Sequence, residues 1–143
     1  MIAVDTNVLV PLVRTEYPHH EAAFARVRAL AEGSAAWAIP WPCVHEFLAV
    51  VTNPRIFRTP LPPTDAITAV ETLFESPSLQ LLSEGAGYWP VARTLMSGAT
   101  VLGGRIHDAR IAALCLAHGV DELWTADRDF SRFPQLRVRN PFA

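Results

Sequence analysis

Lysine is absent from this chain: all twelve basic residues among its 143 are arginines. A P-loop needs its lysine to reach the nucleotide phosphates, so that class is disfavoured. A receiver-type phospho-acceptor domain, which the number of acids would suit, relies on a lysine as well and is disfavoured. Cysteine is scarce. Cys43 and Cys115 make neither a metal-ligand spacing nor a disulfide framework, and both fall on apolar helical stripes where small buried hydrophobes are expected. No apolar run approaches the ~20 residues that span a bilayer. The opening stretch Met1 to Val13 is apolar, but Asp5 and Asn7 interrupt it and no basic residue precedes it. A signal peptide is therefore not expected, and a reducing cytoplasm fits these absences. The net charge of −2 does not advertise nucleic acid.

Half of the residues are hydrophobic and 18% are charged, a balance suited to a folded core. The length fits one domain, here residues 1–143, with no linker or repeat. Ile2 to Val4, Ala36 to Ile39, Leu79 to Leu82, Glu122 to Thr125 and a short Leu136 to Val138 read as strands. The first is continuous rather than alternating, as buried parallel strands are. Helices are expected over Val8 to Arg14, His20 to Glu32, Trp41 to Val51, Thr64 to Glu75, Tyr88 to Met96 and His107 to His118. Gly33 and Gly119 stand as stops, Pro40 and Pro42 bracket the third helix start, and Thr64 stands as the cap of the fourth. Strands and helices alternating at this rhythm mean βαβ units around a parallel sheet of about four to five strands.

Four acids stand at places where such a fold brings them together. Asp5 ends the first strand and Asp127 follows the fourth, so both belong to the carboxyl edge of the sheet, where ligands of open α/β sheets collect. Glu46 falls among the apolar positions Cys43, Phe47 and Val50 of the third helix. Asp108 shares a helical face with Ile111, Ala112 and Cys115. Each has an ordinary account taken singly. Asp5 suits an N-cap, Asp108 the positive end of a helix dipole, Asp127 a polar turn, and Glu46 an edge position that reaches solvent. Taken together, they suit a hard divalent cation, which prefers oxygen ligands.

On these residues the chain resembles the PIN-domain family, specifically the VapC-like toxins of toxin–antitoxin pairs. The matching pieces are Val4-Asp5-Thr6-Asn7-Val8-Leu9, His45-Glu46-Phe47 with Thr52-Asn53-Pro54-Arg55, His107-Asp108-Ala109 with Ile111-Ala112-Ala113, Thr125 through Phe130, and the ending Phe133-Pro134 to Asn140-Pro141. The resemblance implies a three-layer α/β/α sandwich, Mg²⁺ or Mn²⁺ in an acidic pocket, endoribonuclease activity, a cognate antitoxin and a dimer. It assigns Asp5, Glu46, Asp108 and Asp127 to the acidic quartet and Thr6, Asn7 and Thr125 to supporting polar positions, with Asp129 as a further carboxylate nearby. Asp5, Asp108 and Asp127 are expected on a first metal, with Glu46 assisting a second metal or orienting water.

Arginines would have to draw RNA to an acidic pocket, and Arg14, Arg55, Arg58, Arg105, Arg110 and Arg128 are the candidates near its rim. His107 is assigned a structural or rim role, and His45-Glu46 lacks the second histidine of a zinc motif. Trp37, Trp41, Trp89 and Trp124 are expected in the core. The competing reading is a catalytically silent RNA-binding module on the same fold. An aspartyl-nucleophile phosphatase would want Asp-x-Asp after the first strand, and Asp5-Thr6-Asn7 does not supply it.

Overall fold

The computed structural model describes all of residues 1–143. Five parallel strands, β1 (Ile2–Val4), β2 (Trp37–Pro40), β3 (Leu79–Leu82), β4 (Glu122–Trp124) and β5 (Val138–Arg139), form one sheet in the order β3-β2-β1-β4-β5. Six helices, α1 (Thr6–Val13), α2 (His20–Glu32), α3 (Trp41–Val51), α4 (Pro63–Phe74), α5 (Tyr88–Met96) and α6 (Arg105–Ala117), flank it as the outer layers of an α/β/α arrangement. A 3₁₀ turn, Arg128–Arg132, joins β4 to β5. No helix is long and apolar enough to cross a membrane.

The central strands are short because burial on both faces lets few residues do the work. Ala3, Val4, Ala38, Ile39 and Leu123 are fully buried. Val4 pairs in register with Trp124, and Ile2 with both Trp37 and Glu122. From β1 the strand order runs one way to β2 and β3 and the other way to β4 and β5. The chain therefore reverses its direction of build between β1 and β4, and a crevice opens at the carboxyl ends of those two strands.

Several boundaries differ from the sequence expectation for identifiable reasons. α1 starts at Thr6, not Val8, because Asp5 is itself the cap: its backbone is extended and its carboxylate accepts the Thr6 amide. α4 starts at Pro63 with Pro62 in the cap position, and Thr64 does not cap it, since proline's fixed φ preorganises the first turn. α6 begins at Arg105 because Gly103, at φ +56°, turns the chain just upstream. β5 lies at Val138–Arg139 rather than from Leu136, which is buried in the core instead. Trp37 and Trp124 are buried as expected, whereas Trp89 is 60% exposed on α5. Cys43 and Cys115 are both free and buried.

Candidate functional site

Asp5 leaves the end of β1 with its amide bonded to the Trp124 carbonyl, so the first and fourth strands deliver their following residues to the same crevice. Its carboxylate is buried and ringed by donors. Oδ1 accepts from the Thr6 amide at 2.7 Å and faces the Cys43 thiol at 3.4 Å. Oδ2 accepts from the Thr125 hydroxyl at 2.7 Å and from Asn7 Nδ2 at 3.2 Å. Asn7 Nδ2 also donates to the Thr125 hydroxyl at 2.9 Å, while its carbonyl accepts the Ala126 amide. The Thr125 hydroxyl in turn accepts the Asp127 amide at 3.0 Å. Asn7 and Thr125 thus stitch the strand ends together and leave Asp5 one orientation.

Glu46 comes from the second turn of α3, which follows β2 without a loop. It lies at the edge of the apolar stripe and reaches solvent. The Thr6 hydroxyl stands 3.2 Å from its Oε2 and 3.3 Å from the Cys43 carbonyl, so it steadies α3 against α1. Asp108 projects from the first turn of α6, where Ala109, Ile111 and Ala112 bury the same helix in the core. Asp127 caps the 3₁₀ turn, accepting the Asp129 amide at 2.8 Å.

Asp5, Glu46, Asp108 and Asp127 line one pocket of about 250 Å³, together with Thr6 and Asn7. No arginine or histidine lines it. His107, in a neighbouring cavity, only partly offsets the repulsion at Glu46, and the carboxyl groups respond. Desolvation, followed by repulsion from Asp127, Asp5, Asp129 and Glu46, pushes Asp108 up to about 6. Burial also raises Asp5, against the Thr125 and Thr6 hydrogen bonds that lower it. Glu46 is raised by desolvation first and by Asp5 second. Oxygens of Asp108, Asp127 and Asp129 lie within 4.8 Å of one another. An all-carboxylate donor set at that spacing fits a hard divalent ion, with only the Arg132 guanidinium, 4.0 Å from Asp129 Oδ1, near it. The tightest triad therefore contains Asp129, read from the sequence as a further carboxylate nearby, where Asp5 was expected.

The arginines divide. Arg14 is a correction to the sequence expectation of an RNA contact. It is 7% exposed, donates to the Thr59 carbonyl at 2.9 Å, pairs with Glu16 and lies 4.0 Å over the Phe57 ring. Its guanidinium is committed to holding the loop after α3. Arg110 pairs with Glu84, and Arg105 donates to the Thr100 carbonyl. Arg55, Arg58 and Arg128 stay exposed, and none of them appears in an ion pair.

Two site residues escaped the sequence reading. Cys43, read as a small hydrophobe, is buried and also faces Asp5. Its spacing of three from Glu46 on one helix was the available signal. Tyr17 lines the pocket from the segment between α1 and α2, where no periodicity marks it.

Fold and pocket together define the class: an α/β protein with a carboxylate cluster at the switch point of a parallel sheet. The chain belongs to the PIN domain family, which it matches over residues 2–136. It is 36% identical to Ribonuclease VapC43 of Mycobacterium tuberculosis over 141 residues, covering 99% of this chain and 95% of that protein. Against Ribonuclease VapC48 of the same organism it is 32% identical over 139 residues, covering 97% and 96%. Among solved structures, VapBC-1 from nontypeable Haemophilus influenzae superposes with a TM-score of 0.70 at 19% identity over 100% of both chains.

Proposed function

We propose that this chain, as a single domain spanning residues 1–143, is a metal-dependent endoribonuclease and the toxin half of a toxin–antitoxin pair. One observation carries the reading: four acids from β1, α3, α6 and the β4 edge converge on one pocket that no basic residue lines. The names of its relatives, ribonucleases over nearly their full length, support the choice of RNA. Asp108, Asp127 and Asp129 would hold a first Mg²⁺ or Mn²⁺, with Asp5 and Glu46 lining the same pocket. Bound there, the ion supplies a Lewis acid and offsets charge on the phosphodiester.

The remaining work falls to the chain. Asp5, fixed by four donors, keeps its carboxylate aimed while substrate enters. Glu46, steadied by Thr6, orients the water that attacks phosphorus and takes up its proton. The P–O bond to the departing RNA strand then breaks, and its oxygen takes a proton from the protonated Glu46 or from solvent. Arg55, Arg58 and Arg128 offer exposed guanidinium forks for neighbouring phosphates. A cognate antitoxin, supported by similarity to a VapBC structure, a homodimeric toxin and a cytoplasmic setting complete the proposal.

The test is incubation of a mixed RNA pool with Mg²⁺, with Mn²⁺ and with chelator. Metal-dependent cleavage is expected in the first two. Asp5→Asn, Asp108→Asn and Asp127→Asn should each lose at least about 100-fold in rate, the scale of one removed charge-stabilising group. An Asp5→Asn protein that keeps RNA binding without cleavage shows that the wild type is more than a silent binding module. Cleavage unaffected by chelator overturns the proposal.

A further inference from the structure

The acidic pocket has a second chemistry in its lining. Val10, Val50, Ile111 and Phe130 line it within one turn of Asn7, Glu46, Asp108 and Asp127, and Tyr17 reaches it from a separate segment. An ion site alone has no use for an apolar wall, and an RNA phosphate would not seek one. The part of a nucleotide that does is the base. Every base presents a π-face, and stacking on an aromatic ring does not depend on charge. That matters here, because four carboxylates repel the RNA backbone at the very point where it must be held.

Tyr17 is the polar-tipped aromatic among these residues, and the chain holds it firmly. Its amide donates to the Arg14 carbonyl at 3.0 Å and its carbonyl accepts the His20 amide at 3.1 Å. The Phe57 ring stands behind it, 6.0 Å between centroids and tilted by 39°. Phe57 is itself buried beneath the Arg14 guanidinium. Arg14, Phe57 and Tyr17 form a braced stack that ends at the pocket. A half-buried aromatic so supported pays little entropy when a base lands on it.

We propose that Tyr17 is a positioning residue for the substrate, a platform on which the base next to the scissile phosphate stacks. The inference rests on the ribonuclease reading above and assigns the apolar half of the same pocket. Stacking places the phosphate beside Asp108 and Asp127 without any cation in the pocket wall, and it tolerates every base.

Steady-state cleavage of a short single-stranded RNA with Mn²⁺ tests it in Tyr17→Phe, Tyr17→Leu and Tyr17→Ala. Losing a stack of ~1–3 kcal/mol corresponds to roughly 5- to 150-fold in affinity. Tyr17→Ala and Tyr17→Leu should raise KM by that range with kcat within about threefold, and Tyr17→Phe should behave as wild type. The leucine variant keeps an apolar contact with Phe57, so it carries the comparison should alanine loosen the segment. A direct readout is quenching of 2-aminopurine placed along an RNA bound to a non-cleaving Asp127→Asn protein. The quench should vanish with Tyr17→Leu, while the salt dependence of binding stays as in the parent. Unchanged KM and unchanged quenching in the leucine variant overturn the platform, as does a Tyr17→Phe loss equal to that of alanine. A wild type that cleaves nothing yet quenches 2-aminopurine overturns the nuclease reading and leaves the platform standing.

Discussion

At the scale of single residues, the site is an arrangement of carboxyl groups in unequal surroundings. Asp5 is buried and fully solvated by protein donors, whereas Asp108 is half-buried and faces four other acids. Raising Asp108 from 3.8 to about 6 means that the folded chain binds its proton more tightly than the unfolded one. The contribution is complete below about pH 4 and disappears as the pH climbs to about 6. In chelator, Asp108→Asn should therefore be increasingly more stable than wild type as pH rises across that window. Adding Mn²⁺ should erase or reverse the gap, because the ion stabilises only a folded site that keeps its ligands. Paired thermal melts from pH 4 to 7 measure it, and parallel curves throughout would contradict the charge cluster.

At the scale of elements, two helix stops that look alike in sequence work by different physics. Gly119 follows α6 at φ +70°, with nothing within 4 Å of an added Cβ, so its need for glycine is purely conformational. Gly33 ends α2 with ordinary φ, but a Cβ there would come 2.9 Å from the Ala29 carbonyl. Gly119→Ala should cost about 1 kcal/mol and Gly119→Asn less, since asparagine tolerates the left-handed region. Urea denaturation of the three proteins decides it. The same scale explains Arg14. Its position at the end of α1 suggested a rim, yet the loop from Asn53 to Pro62 folds back and its Thr59 carbonyl captures the guanidinium. Loop conformation has no period in the sequence, so that capture was not legible there.

For the whole molecule, charge is the organising problem. A net −2 chain with an acidic pocket must attract a polyanion through few free cations. Arg55 and Arg58 lie exposed on the loop that Arg14 anchors, the loop whose Phe57 packs against Tyr17. If both contact phosphates, Arg55→Ala with Arg58→Ala should lower the slope of log affinity against log salt by about 1.4, at ~0.7 per phosphate on single strands. Binding titrations at several salt concentrations read it directly, and an unchanged slope removes both arginines from the interface. Tyr17 variants should show the opposite signature, weaker binding at constant slope.

Much of this molecule was written locally. Continuous apolar runs specify buried parallel strands, and their alternation with helices specifies the α/β class, because burial on two faces and the right-handed crossover leave few alternatives. The same logic put Asp5 and Asp127 on the carboxyl edge and Glu46 and Asp108 on inward-tending helix turns. Which oxygens approach within a few ångströms was decided only by tertiary structure. The Thr125–Asp5 bond joins residues 120 apart, and Asp129 enters the tightest triad through the turn after β4. Tyr17 reached the pocket, and Cys43 the buried side of Asp5, for the same reason. Periodicity encodes the face a side chain occupies, but only the packed sheet order determines what it meets across the crevice.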